Sequence, residues 1–389
     1  MITAVVLPVQ LYHLTRSTVM VGLIGVAEFI PMFSLALVGG ALSDAFDRRW
    51  LVRLAEAGAA LVSLLLVANA SLHRPLVWVL YVCAALAAAA GAILGPPLGA
   101  LLPRLVEPDE LTAAFAIDSG LGNLASVAGP ALGGVLIAAF GAMSAYTVDV
   151  ATYLFSLAAL TLMSSVPPPA DGERPSLRSI AAGLRYAGSR RELVGSYVVD
   201  LVAMIFGMPN ALFPAFARRI GGGAVVGLLY AAPSAGAVLA ALVSGWAGRY
   251  SRHGLAIVLA ACGWGLAIAA FGLTRSLWLA LGLLALAGGA DSISALFRAI
   301  LWNGTIPDEL RGRLQGVALL SYTSGPVLGN AEAGLAAGAI GVTGSIVAGG
   351  LLCVVGAAFT ALALPEFWHY RGPDLALKPG MTEPEAATL

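Results

Sequence analysis

Charge is what this sequence has least of. Asp, Glu, Lys and Arg make up 11% of its 389 residues, where a soluble domain carries about 25%. Lysine is almost missing, Lys378 being the single one among 21 basic residues. So few charges cannot cover a water-facing surface, and the chain is expected to face lipid. An excess of basic charge is missing too. The formal net charge is zero, which excludes the basic face that a nucleic-acid partner requires. Cysteine is sparse, and Cys83, Cys262 and Cys353 all lie inside apolar runs without metal-ligand spacing, so they read as packing residues. The four histidines are scattered near span ends. No G-x-x-x-x-G-K-S/T loop for a nucleotide is present, and no G-x-S-x-G nucleophile setting. No metal, cofactor or enzymatic chemistry is therefore expected, and uphill work would draw on an ion gradient. No basic stretch precedes the first apolar run, as a cleavable signal would need.

What is abundant is apolar sequence, at 59%. A hydrocarbon core about 30 Å thick needs roughly 20 apolar residues in a helix. Runs of that length are predicted at 19–42, 51–71, 76–100, 113–140, 145–166, 193–217, 224–247, 255–274, 277–297, 314–340 and 345–367. The opening run, 1–14, would cover only about 21 Å as a helix, too short to span. A start assigned too late in the gene, with the first half of a helix lost, explains it. The stretch 167–192 opens with Pro167-Pro168-Pro169 and carries five arginines. It reads as a connecting loop between 1–166 and 193–368, with a polar tail at 369–389. The expected fold is an all-α membrane protein of eleven full spans plus a truncated first helix.

If the loop after the span at 19–42 is cytoplasmic, sixteen of the 21 basic residues fall on the cytoplasmic side and five on the other. The positive-inside rule then places the central loop and the C-terminus in the cytoplasm. An internal repeat divides the chain into halves. Pro108-Asp109-Glu110-Leu111 recurs as Pro307-Asp308-Glu309-Leu310, and Gly129-Pro130 as Gly325-Pro326. Gly39-Gly40-Ala41-Leu42 has a weaker echo in Ser244-Gly245-Trp246-Ala247. Duplicated halves place a substrate site where they meet, near the bilayer midplane.

Two motifs carry a mechanism. In Gly39-Gly40-Ala41-Leu42-Ser43-Asp44-Ala45-Phe46-Asp47-Arg48-Arg49, small residues permit close helix approach, and Asp44 can face the positive N-terminus of another helix. The segment serves either as a latch between helices or as a charged stop-transfer loop. Gly122 and Gly129-Pro130-Ala131-Leu132-Gly133-Gly134 combine a bend, from the missing proline donor, with tight packing. The first segment resembles the cytoplasmic signature G-x-L-x-D-R-x-x-R-R of the major facilitator superfamily. Gly40, Leu42, Asp44, Arg48 and Arg49 match, while Ala45 replaces an arginine. The second resembles the antiporter signature G-x-x-x-G-P-x-x-G-G, with Ala125 at its first glycine position, which in that superfamily marks exporters. Val5-Val6-Leu7-Pro8-Val9-Gln10, Gly227-Leu228-Leu229-Tyr230-Ala231-Ala232-Pro233 and Gly312-Arg313-Leu314-Gln315-Gly316 extend the likeness to the enterobactin-exporter and drug-efflux branch. The resemblance implies two six-helix halves, a monomer, and export of a small hydrophobic or siderophore-like molecule.

Ionisable residues at membrane depth are functional by default. Glu28, Asp291 and Asp200 are the candidates for carrying a proton, because burial favours the neutral form of a carboxyl and so makes it a usable carrier. Each is alternatively a structural ion-pair partner. Arg298 follows Asp291 by two helical turns, about 10.5 Å along the axis, too far for direct contact without long side chains, with Ser294 or a water as the other bridge. Asp118 and Asp149 lie near helix ends and read as structural. Asn210, Tyr230, Arg298 and Tyr322 are candidates for lining a cavity. Trp264, Phe271, Phe297 and Trp302 either join them or pack between helices. The lead expectation is a proton-coupled exporter in the plasma membrane. The competing ones are an importer of the same fold, a sensor or inactive copy that transports nothing, and a membrane-embedded enzyme.

Overall fold

The computed structural model describes residues 1–107, 109–163, 185–222 and 225–371. Side chains at 36–45, 96–97, 99–100, 103–104 and 308–323 are not described, and most of the expected central loop and tail falls outside these residues. Among the described residues every regular element is helical. The elements are α1 (Ile2–Thr15), α2 (Thr18–Ala45), α3 (Arg48–Ala70), α4 (Val77–Leu105), α5 (Leu111–Leu162), α6 (Arg191–Phe206), α7 (Phe213–Ile220), α8 (Val226–Leu242), α9 (His253–Leu273), α10 (Leu277–Thr305), α11 (Asp308–Ala363) and the short α12 (Pro365–Trp368). Eight described segments are long and apolar enough to cross a membrane. In lipid every backbone amide must find its partner inside the segment, which leaves the helix as the available form. Trp278, Leu162 and Leu362 stand 80% exposed or more, a surface that suits hydrocarbon and not water.

The joints are short. Two residues separate α2 from α3, and the Asp47 carboxylate caps α3 by accepting from the Trp50 amide at 3.2 Å. The long elements α5 and α11 each contain two helical limbs joined at one glycine. Gly141 has φ 83° and Gly341 has φ 77°, a region that costs a side-chain-bearing residue strain. The two hinges are two hundred residues apart, the same offset as the sequence repeats. Both limbs of α5 and of α11 match spans expected from hydropathy. The expected span at 193–217 is instead interrupted: α6 stops at Phe206, and a 3-10 turn at Asn210–Leu212 precedes α7. Pro209 has no amide to continue the ladder. The freed carbonyl of Gly207 accepts from Trp264 Nε1 at 3.0 Å, and the Ala211 amide donates to Asn330 Oδ1 at 3.0 Å.

Packing divides the helices into two groups. In one, α2 and α3 pack on α4, and α1 and α3 pack on α5; in the other, α9 packs on α10 and α11, α8 on α10, and α6 on α11. The groups join chiefly through α2 against α11 and α5 against α8. Two helix bundles joined along two seams are what the resemblance implies.

Candidate transport path and gate

The two joining contacts are made by glycines. A Cβ on Gly22 would lie 2.8 Å from Gly334 Cα, and one on Gly227 would lie 2.7 Å from Gly134 Cα. No side chain fits either crossing, so helix backbones touch there. Gly134 and Gly334 are again two hundred residues apart, and Gly22-Leu23 echoes Gly227-Leu228. The crossings thus form a pair related by the internal repeat. Both lie toward the end of the bundle that carries Arg16, Gly141, Gly221 and Gly341. At the opposite end α5 loses its cover. Between Thr112 and Ala125 of α5 every residue but Ala114 is exposed, whichever face it occupies. Leu239 and Leu242 at the far end of α8 are exposed too. Along the seam of α5 and α8, contact is close at one end, and the described side chains are exposed at the other.

The glycine-proline motif is split by this arrangement. Gly129 packs on the Met1 side chain, a Cβ on Gly133 would lie 3.2 Å from the Ile2 carbonyl oxygen, and Gly134 meets Gly227. Pro130 is buried, and its carbonyl oxygen would lie 2.8 Å from a Cβ on Gly227. Gly122 sits in the exposed limb with nothing within 4 Å of its would-be Cβ.

Just inside the glycine crossings, one turn beyond Gly25 and Gly227, lie Glu28 and Tyr230. Glu28 is half-buried, and its carboxylate lies in the neighbourhood of the Tyr230 phenol. That phenol donates to the Asn210 carbonyl at 2.8 Å and meets Phe213 edge to face at 4.9 Å. Asn330 closes the group through its bond to Ala211. Glu28, Tyr230 and Asn210, chosen separately from the sequence, are brought together here from three helices.

A second charged group lies between α6 and α10. Arg298 is 1% exposed and pairs through Nη1 with Oδ1 of Asp200, which is equally buried. Its Nη2 stands 3.8 Å from Oδ1 of Asp291, whose side chain keeps 33% exposure. The two-turn separation is spanned by the long arginine side chain, one of the ways left open by the sequence, since a guanidinium has donors to share between two carboxylates. The sequence offered Asp200 as a carrier and Arg298 as a cavity-lining residue. The structure places both in one sealed ion pair, so Arg298 does not face open space. Beside it, Trp302 Nε1 donates to Ser196 Oγ at 2.9 Å and stacks on Tyr197 at 4.9 Å.

A family model described as transmembrane secretion effector matches residues 2–385. The chain belongs to this family. Its members are major facilitator transporters, so this chain is a multi-pass membrane transporter and not an enzyme. It is 31% identical over 371 residues to the enterobactin exporter EntS of Citrobacter koseri, covering 95% of this chain and 89% of that one. It is 30% identical over 375 residues to the enterobactin exporter EntS of Escherichia coli K12, covering 94% and 88%. Among solved structures, a bacterial homologue of the human lysosomal transporter Spinster, inward-facing and unoccupied, superposes with a TM-score of 0.74 at 17% identity, covering 96% of this chain and 95% of that one. The nucleoside transporter NupG matches with a TM-score of 0.74 at 12% identity, covering 94% and 96%. These last two show the fold alone.

Other candidate residues have plainer surroundings. Arg49 donates from Nε to the Leu160 carbonyl at 2.9 Å and from Nη2 to the Thr161 carbonyl at 2.7 Å, and Arg53 adds a bond to Leu160 at 3.0 Å. They satisfy the last carbonyls of α5, where a helix end is electron-rich. Arg48 is buried. Gly40, Asp44 and Tyr322 lie outside the residues whose side chains are described. Trp264, Phe271 and Phe297 are buried in packing clusters. Asp149, read as structural from its place near a helix end, is a buried carboxylate whose Oδ2 accepts from Thr3 Oγ1 at 2.6 Å and Ser63 Oγ at 2.8 Å. Nothing in the local sequence points to those two hydroxyls, which arrive from α1 and α3.

Proposed function

We propose that the protein exports a small hydrophobic or siderophore-like molecule across the plasma membrane by proton antiport with alternating access. The observation that carries the reading is the pair of glycine crossings at one end of the bundle, with a carboxylate one turn inside them. Rigid halves that rock about such crossings expose the interior to one face at a time. Export as the direction, and a siderophore as the substrate class, rest on the enterobactin exporters it resembles. The glycine-proline motif supports the same direction. The halves are taken as 1–166 and 193–368, with 167–192 and 369–389 on the cytoplasmic side, as the distribution of arginine argues. Glu28 and Asp291 are the proton carriers, since each is an acidic group at membrane depth that keeps part of its side chain exposed.

The test is accumulation of a catechol siderophore and of a fluorescent drug in inside-out vesicles, with and without an imposed proton gradient. Gradient-dependent accumulation of either substrate supports proton-coupled export. Accumulation that ignores the gradient removes the antiport step, and accumulation only in right-side-out vesicles reverses the direction.

A further inference from the structure

Asp200, Arg298 and Asp291 hold two carboxyl groups and one guanidinium in a single buried group. With both carboxylates ionised the group carries one net negative charge inside a low-dielectric bundle. One proton makes it neutral. Burying an unbalanced charge is costly, so the group has a reason to take up one proton and no reason to take a second. The geometry says which carboxyl receives it. Asp200 is sealed and directly paired, whereas Asp291 is a third exposed and sits at the looser 3.8 Å contact.

We propose that these three residues form a one-proton unit, in which Arg298 is a positioning residue that leaves Asp291 as the carboxylate that takes and gives up the proton. The consequence for transport rests on the proton-antiport reading above; the unit itself does not. In the loaded state a proton from water bonds to an Asp291 carboxylate oxygen, and Arg298 is left to Asp200 alone. In the unloaded state Asp291 returns the proton to water and regains its share of the guanidinium. The change is felt by the gate through α8. A Cβ on Gly288, one turn before Asp291, would lie 2.6 Å from Pro233 Cα, and one on Gly236 would lie 2.7 Å from Ala285 Cα. The helix so gripped is the one that carries Gly227 at its other end.

Other titratable groups on the elements packed against α10 have contacts of their own. Tyr197 stacks on Trp302. Tyr250 and His253 lie against Phe297. The Cys262 thiol faces the Val354 carbonyl, and Tyr230 is bonded to Asn210. On α6, Glu192 pairs with Arg190, and Arg191 pairs with Glu366 at the helix start.

The test needs no substrate. Infrared spectra of the purified full chain in lipid nanodiscs, stepped through pH, report the band of protonated carboxyl groups. One carboxyl's worth of that band should vanish in Asp291→Asn. At the pH where half of the Asp291 band is present in the parent, Asp200→Asn should leave about a tenth of it, because Arg298 then belongs to Asp291 alone. Arg298→Gln should leave it nearly complete. An Asp291 band unchanged by Asp200→Asn overturns the proposal, as does a band that survives Asp291→Asn. Asp200→Asn is nearly isosteric, so the test stands even where Arg298→Gln, which strands a buried carboxylate, fails to fold. Failure of the export reading looks different: the parent protein transports nothing under a gradient while these titrations stay as expected.

Discussion

Gly134 and Gly227 meet backbone to backbone, and Gly334 meets Gly22 in the same way two hundred residues further along. A gate made of two repeat-related contacts without side chains has one mode of failure, which is added volume. Gly22→Val and Gly227→Val should each weaken the closed end by about 1–3 kcal/mol, the usual cost of overpacking. Spin labels at Arg16 and Arg219 should then show a longer distance population than in the parent. An unchanged distribution for both variants would mean that the crossings do not hold the end shut.

Glu28 lies one turn inside that gate and beside Tyr230. Glu28→Gln keeps the volume and removes the ionisable group, so gradient-driven accumulation should fall at least about tenfold, in line with loss of a step worth 1.4 kcal/mol or more. Membrane insertion and the melting temperature should hardly move. Parent-like gradient dependence would assign Glu28 to binding or packing instead.

Asp149 ties α1 and α3 to α5 through Thr3 and Ser63. Asp149→Leu strands both hydroxyls and should cost about 1–3 kcal/mol, seen as a lower melting temperature in detergent. Asp149→Asn retains an acceptor oxygen and should cost less. Equal melting of the two variants would show that the hydroxyl bonds carry no stability.

At the start of α6, Arg191 Nη1 and Glu366 Oε1 are 2.7 Å apart. The backbone hydrogen bond at Glu366, and then the Arg191 guanidinium, hold the Glu366 carboxyl below the usual carboxylate range. A lowered value means that the charged form is favoured in the folded state, so any hold that this contact gives the 364–371 segment is present at neutral pH and is lost as pH falls through that value. Amide exchange in α12, corrected for the intrinsic pH effect, should rise on acidification in the parent and not in Glu366→Gln. Equal pH responses would remove Glu366 from the docking of this segment.

The spans were legible because hydropathy and helix formation are local, and because lipid leaves an apolar segment no alternative to internal hydrogen bonding. The repeat was legible as far as Pro108 and Gly129, and its further marks at Gly141 and Gly341 became visible through their positive φ. The break at Gly207–Pro209 was written in the sequence, but proline is tolerated in membrane helices often enough that the residue alone does not announce an interruption. Glu28, Tyr230 and Asn210 were each picked out as polar residues in apolar runs, and nothing in their spacing says that they converge.

By itself, then, the sequence determined a helical membrane protein with a duplicated pattern, a facilitator signature and a short set of intramembrane charges. The tertiary structure decided the partners. Arg298 takes Asp200 from another helix as well as Asp291 from its own, Asp149 takes Thr3 and Ser63, and Gly134 takes Gly227. The physical reason is that a span apolar on every side has no marked face. Its rotation and its neighbours are set by where small residues let backbones approach, and that fit exists only between helices.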